Sequence, residues 1–201
     1  MTWLPPVRRG DVASLVERSA EPGTVVVCDG VFGGHPAVSH AELCDAIDAG
    51  WQVWGVSSIG AIRAYEMRHD GMHGFGYVYR QFARFADFTD DEMCLLHVPD
   101  PPYFPVTEAL VNLRYALEQR QVAWRISDAS AAVLLERLRA MWFGHRTAER
   151  MRQVMVEEAG IDAMAADALL AWTRDNRVKA LDLAAILAAR PWQLSPPAPA
   201  P

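Results

Sequence analysis

The stretch Trp51 to Glu66, WQVWGVSSIGAIRAYE, constrains the fold more than any other part of the chain. Trp51-Gln52-Val53-Trp54 is β-branched and aromatic, the composition of a short buried strand. From Ile59 to Met67 apolar residues recur at helical spacing (Ile59, Ile62, Met67), with small Ala61 and Ala64 between them. The joint between strand and helix is Gly55-Val56-Ser57-Ser58-Ile59-Gly60. A serine on a tight strand-to-helix turn among small residues has the geometry of a nucleophile elbow, with its hydroxyl at the end of a sheet. The Ile59 and Gly60 N–H groups are expected without partners at the helix start. Together with the helix dipole they would stabilise an anion or an oxyanion. The plainer reading makes Ser57 or Ser58 a helix cap. Against the elbow, Val56 stands where the first glycine of G-x-S-x-G belongs.

The chain of 201 residues is long enough for one medium domain, or for a domain with a small helical appendage. A net charge of −6 provides no basic footprint for nucleic acid. No apolar run approaches the ~20 residues that span a bilayer. The lead-in, with Pro5, Pro6, Arg8 and Arg9, contains no apolar secretory core, so the expected compartment is the cytoplasm. Cys28, Cys44 and Cys94 lie in apolar surroundings and read as small core residues of a reducing compartment. His40 with Cys44, and Cys94 with His97, have the spacing of metal ligands, but neither pair belongs to a full ligand set.

A short helix is expected up to Ser19, and Glu21-Pro22-Gly23 is a turn. Thr24 to Cys28 (TVVVC) is a continuous apolar run, as in a strand buried on both faces of a parallel sheet. It ends in Asp29-Gly30 and the loop Gly33-Gly34-His35-Pro36. Ser39 and Glu42 have capping-box spacing for a helix whose apolar face is Leu43, Ala46 and Ile47. After the central strand and helix comes the glycine-rich link 71–76, then a helix over Tyr77 to Ala86. Asp90-Asp91-Glu92 is expected to be a solvated acidic turn, Met93 to His97 a third strand, and Val106 to Gln119 a helix after a proline-rich loop. Strands alternating with helices indicate βαβ units. The expected fold class is therefore α/β, an open parallel sheet of Rossmann-like or flavodoxin-like kind, followed by an all-α C-terminal segment. In that segment Val133, Leu134, Leu138 and Met141 are expected to point inward on one helix, and Leu181, Ile186 and Leu187 on the last. The expected division is a core over 1–122, a helical segment over 123–190 packed on it, and a disordered Pro/Ala tail over 191–201.

Ligands of an open parallel sheet bind beyond the carboxyl ends of its strands. Asp29, Ser57 with Ser58, and His97 follow the three expected strands, so all would meet at one edge. Arg63 and Glu66 lie three apart on the helix leaving Ser58 and can pair there. His40 starts its helix near the same edge, and Glu108, Asn112 and Arg114 run along another helix.

Taken together, several segments resemble the TfuA family, the partner proteins of YcaO enzymes in thioamide biosynthesis. They are LPPVRRGD (4–11), DGVFGGHPAVSHAEL (29–43), GVSSIGAIRAYE (55–66), GMHGFG (71–76), TDDEMCLLHVPDPPYFPVTEALVNLR (89–114) and, more weakly, RVKALDLAAIL (177–187). Where the family usually shows Ala-Ser-Met-Gly, this chain has Ser57-Ser58-Ile59-Gly60, so the serine carried over is Ser58. Ser39 takes a position where an aromatic is common, and Val98 replaces a glycine.

The resemblance implies an accessory protein of peptide or protein thioamidation. Its YcaO-type partner activates a backbone amide with ATP, and the TfuA-like protein delivers sulfur, by one account through hydrolysis of a thiocarboxylated ubiquitin-like (ThiS-like) carrier. The implied substrate of the pair is a precursor peptide or protein. No cofactor is expected on this chain, which has no P-loop, and neither nucleic acid nor membrane is an expected partner. Ser58 would attack, or hold substrate for an attacking water, with His97 or His40 as base and Asp29 orienting it. Ser57, Ile59, Gly60, Arg63, Glu66, Asn112 and Arg114 would surround the anionic substrate, and Gly33-Gly34 would admit a Gly-Gly carrier tail. Two readings remain beside this one. One is a non-catalytic adaptor that docks on the YcaO enzyme; the other is a small esterase-like hydrolase, for which no acyl pocket is evident.

Overall fold

The computed structural model describes residues 1–30 and 35–194; Gly33-Gly34 and the tail 196–201 lie outside the described residues. Three parallel strands form one open sheet in the order β1 (Thr24–Val27), β2 (Gln52–Gly55) and β3 (His73–Gly74). The register pairs Val25 with Val53, Val27 with Gly55, and Trp54 with His73. With its many helices and a long helical C-terminal segment, the chain has the α/β architecture read from its alternating pattern.

Two compact units divide the chain, one of Met1–Phe88 with Lys179–Pro201, the other of Thr89–Val178. The first holds the sheet with α1 (Asp11–Arg18), α2 (His40–Asp48), α3 (Ile59–Glu66), α4 (Gly76–Arg84) and most of α9 (Val178–Ala189). Ser39 caps α2 with the capping box in full, its hydroxyl accepting from Glu42 N–H while the Glu42 carboxylate accepts from Ser39 N–H. α3 approaches the sheet at backbone contact: a Cβ on Gly60 would stand 1.8 Å from the Val27 carbonyl oxygen, and one on Gly55 2.0 Å from that of Gly60. Ala61 and Ala64 keep that face of α3 small, and both are fully buried.

The second unit is helical: α5 (Leu110–Arg120), α6 (Asp128–Arg139), α7 (Ala148–Gln153) running into a π-helical turn over Val154–Glu158, and α8 (Ala163–Asp175). Leu110, Leu113, Leu134, Leu138, Met151, Met155 and Leu169 form its core. Among the described residues no helix is long and apolar enough to cross a membrane.

Four expectations are corrected. Met93–His97 is not a strand: Asp90–Met93 is a 3-10 turn, and His97 makes only an isolated antiparallel bridge to Pro105. A short apolar run looks the same in a buried strand and a buried turn, and the prolines that follow lack the N–H groups a ladder needs. The third strand is instead the two-residue β3 inside the glycine-rich link, too short to leave a periodic signal. Glu92 is not solvated; it is fully buried and paired bidentately with Arg114 at 3.0 and 2.5 Å. Its neighbour Asp91 pairs with Arg146, itself fully buried and also bonded to the Leu138 and Met141 carbonyls. Finally, Val133 and Leu181 are exposed, because the buried rows run through Ala131, Leu134 and Leu138 on α6 and through Asp182 and Ile186 on α9.

Candidate functional site

The turn between β2 and α3 continues the bonding of the sheet beyond its last ladder pair. Val56 N–H donates to the Val27 carbonyl at 3.0 Å. The next carbonyl, that of Cys28, has no strand beside it and accepts from both Ser58 N–H (3.2 Å) and Gly60 N–H (3.3 Å). Gly60 N–H is therefore engaged, contrary to the expectation that both early amides are unpaired. Ile59 N–H has no acceptor among the described residues.

The two serines divide the work. Ser57 takes the left-handed backbone, with φ 71°, and its Oγ donates to the Lys179 carbonyl at 2.6 Å. Ser58 is the N-cap of α3, yet its side chain makes no capping bond. Its Oγ exposes less than 1 Å² and has no hydrogen-bond partner among the described residues. Leaving a buried hydroxyl unpaired costs on the order of 1–3 kcal/mol, so this atom sits in an environment that offers it nothing.

Further along α3, Arg63 and Glu66 do pair, Nη1 to Oε2 at 2.6 Å, while Arg63 Nε donates to the Val38 carbonyl at 2.9 Å. The same Glu66 oxygen holds His40 Nε2 at 2.8 Å. Glu66 stands two turns beyond Ser58, about 12 Å along the axis at 1.5 Å per residue. Glu66, rather than Asp29, is thus the carboxylate that orients His40. Asp29 is exposed, and its Oδ1 accepts from Gly30 N–H at 2.9 Å.

His97, Asn112 and Arg114 belong to the other unit. His97 Nδ1 bonds the Val98 carbonyl at 2.6 Å, which fixes the proton on Nδ1 and leaves Nε2 as the basic nitrogen of the neutral ring. Arg114 is committed to Glu92. Asn112 is fully buried and donates to Glu108 Oε1 at 2.8 Å; Glu108 Oε2 accepts from Arg177 at 3.2 Å. Among the described residues no group of three His, Cys, Asp or Glu side chains is placed to hold a metal ion.

Two residues that matter at the turn escape a reading of the sequence. Cys28, at the carboxyl end of β1, lies beside the Ser57 side chain, and burial pushes its thiol pKa up, against a lowering effect of Ser57. Asp182 on α9 caps α4 from across the chain, Oδ1 accepting from Tyr77 N–H at 2.7 Å and Oδ2 from Val78 N–H at 2.9 Å. Gly76, with φ 95°, leaves the space, for a Cβ there would stand 2.4 Å from the Asp182 carboxyl carbon. Long-range pairing of this kind leaves no periodic trace. The one available signal was a charged residue on the apolar run of α9.

A parallel sheet closed on one side by a close-packed helix, with a serine turn at its carboxyl edge, defines an α/β protein of the strand–turn–helix type. Residues 29–147, well over half of the chain, match the profile of the family described as TfuA-like protein, and the chain belongs to that family. Membership gives it a general role in thioamide-forming systems. No curated protein matches the chain.

Proposed function

We propose that this protein is the sulfur-handling accessory of a YcaO-type enzyme in peptide or protein backbone thioamidation. It takes the thiocarboxylated C-terminus of a ubiquitin-like (ThiS-like) carrier at the Ser57–Ile59 turn and hydrolyses it, while ATP stays with the YcaO partner. Water adds to the carbonyl carbon and the C–S bond breaks, giving the carrier carboxylate and hydrogen sulfide. The thiocarboxylate is already an anion, so attack on it requires its charge to be offset. Ile59 N–H would receive the developing oxyanion at the positive end of the α3 dipole, with Arg63, paired to Glu66, further along the same helix. The Ser58 hydroxyl either attacks or holds the substrate for the water.

The observation that carries this reading is a buried Ser58 oxygen that has no partner among the described residues, next to an amide that has no acceptor among them, at the carboxyl edge of a parallel sheet. The test is sulfide release from a thiocarboxylated carrier by the purified chain. Release that is lost in Ser58→Ala is expected; release that survives the change overturns the role of Ser58.

A second reading, the non-catalytic adaptor, is favoured by a different feature. Around the His97–Pro105 bridge, Leu96, Val98, Tyr103, Phe104 and Val106 are all exposed, on a segment held by Val98 N–H to the Phe104 carbonyl at 2.9 Å. Five exposed apolar side chains on an ordered, proline-stiffened loop suit docking on a partner protein. If the adaptor is right, Phe104→Ser abolishes thioamidation by the complex and Ser58→Ala leaves it intact.

A further inference from the structure

Trp142 stands at the surface of the second unit, 55% exposed, and yet its position is fixed. Behind it the buried Arg146 guanidinium donates to the Leu138 and Met141 carbonyls, each at 3.0 Å, and pairs with Asp91, so the backbone leading into Trp142 is tied down. The indole rests against Phe143, with ring centroids 5.2 Å apart, and edge-on to His145 at 5.1 Å. It also lies over Gly144, where a Cβ would stand 2.3 Å from the ring. The glycine thus gives a large apolar side chain a backbone seat at the surface. An exposed tryptophan that is already immobilised loses little conformational freedom on meeting a partner, and residues of this kind dominate binding surfaces.

Residues on both sides of Trp142 in the chain open onto a cleft of about 450 Å³, lined by Met141, Gly144, His145, Thr147 and Arg150. Its charge is uneven. The Arg150 side chain is 42% exposed and shares Glu158 with Arg137, at 3.4 and 3.3 Å, so two guanidiniums face one carboxylate. The other Arg150 contact, Nη1 to Gln153 Oε1 at 2.5 Å, is with a neutral amide. Around it the segment 137–152 holds five arginines and one carboxylate, in a chain whose net charge is −6. A local positive excess on an acidic protein selects an anionic partner. Nucleic acid fits less well than protein, because Glu149 beside Arg150 and Glu157 beside Glu158 interrupt the basic track that a phosphate backbone needs.

We infer that this cleft is a docking site for an acidic segment of a partner protein, with an apolar side chain of the segment against Trp142 and Met141 and one of its carboxylates on Arg150. Arg150 is the charge the segment meets, since Arg146 is buried and committed to Asp91. The inference is independent of the chemistry at the Ser58 turn, which belongs to the other unit.

The experiment is fluorescence anisotropy on the full-length protein. The probes are fluorescein-labelled acidic octapeptides, aspartate or glutamate around a central Leu-Phe, Leu-Trp or Ile-Phe pair, with the same peptides carrying lysine at every acidic position and labelled oligouridine beside them. At least one acidic peptide is expected to bind saturably and its lysine counterpart not to bind. Trp142→Ala should weaken that binding about tenfold. Gly144→Ala should weaken it by a similar factor: the nearest atoms a Cβ at 144 meets all belong to the indole, so the ring is pushed off its seat while the backbone stays. A thermal midpoint equal to that of wild type shows that this variant is folded. Arg150→Gln should weaken binding and flatten its dependence on salt. Absence of saturable binding by every acidic peptide, an affinity that Trp142→Ala, Gly144→Ala and Arg150→Gln all leave unchanged, or tighter binding of oligouridine overturns the inference.

Discussion

Gly60 of α3 and Val27 of β1 meet backbone to backbone, with no room for a single methyl group between them. A Cβ at position 60 would sit 1.8 Å from the Val27 carbonyl oxygen, and that atom cannot yield without breaking the sheet. Overpacking normally costs about 1–3 kcal/mol where side chains can shift. Here the obstacle is backbone, so Gly60→Ala is expected to lose about 3 kcal/mol or more. Urea unfolding followed by circular dichroism checks it; a loss under about 1 kcal/mol would mean that α3 can stand off from the sheet.

Glu92 and Arg114 form a different kind of constraint. The carboxylate is fully buried and the guanidinium nearly so, its side chain 13% exposed. Breaking such a pair strands a charge away from water, at about 3–5 kcal/mol. Glu92→Ala should destabilise by that order, whereas Glu92→Leu combined with Arg114→Met should lose much less, because no charge is left behind. Comparing urea midpoints of the single and double variants decides the matter.

Asp182 makes a prediction about pH. Burial raises its pKa above the ordinary carboxylate value, against the lowering effects of the Val78 and Tyr77 amides and of Arg80. The folded chain then holds this proton at a higher pH than the unfolded chain does. Its contribution to stability is fully present below the ordinary carboxylate pKa and is lost as pH rises through the raised one. Wild type should therefore gain stability relative to Asp182→Asn as pH falls from neutral into the ordinary carboxylate range, since asparagine cannot titrate. A difference between the two proteins that stays constant over that range would refute the sign.

The parts of the fold legible in the sequence were those with a local cause. The valines of β1, the Ser39–Glu42 box and the glycines and alanines around Ser58 each announce themselves within a few residues. What stayed hidden was long-range: Asp182 reaching α4 across more than 100 positions, Arg146 crossing to Asp91, and Arg114 to Glu92. An acidic cluster such as Asp90-Asp91-Glu92 looks solvated until the arginines that meet it are known. For the candidate site, the turn was readable and its chemistry was not, because whether a hydroxyl is exposed, bonded or sealed depends on elements far along the chain. The pairing of His40 with Glu66 rather than Asp29 has the same origin, since both sit on helices whose rotation the pattern does not fix.

Ser58→Ala brings the structural and chemical arguments to one measurement. Among the described residues the hydroxyl caps nothing and bonds nothing, so its removal takes away a buried polar group without breaking a hydrogen bond there. Stability is expected to stay level or rise by about 1 kcal/mol. Sulfide release, in contrast, should drop to background. A residue kept for packing would show the opposite pattern, losing stability and sparing activity. Thermal unfolding and sulfide release measured on the same preparation distinguish the two. A variant that is less stable than wild type would mean that the Ser58 oxygen has a structural partner in solution, and the turn would then be a helix cap.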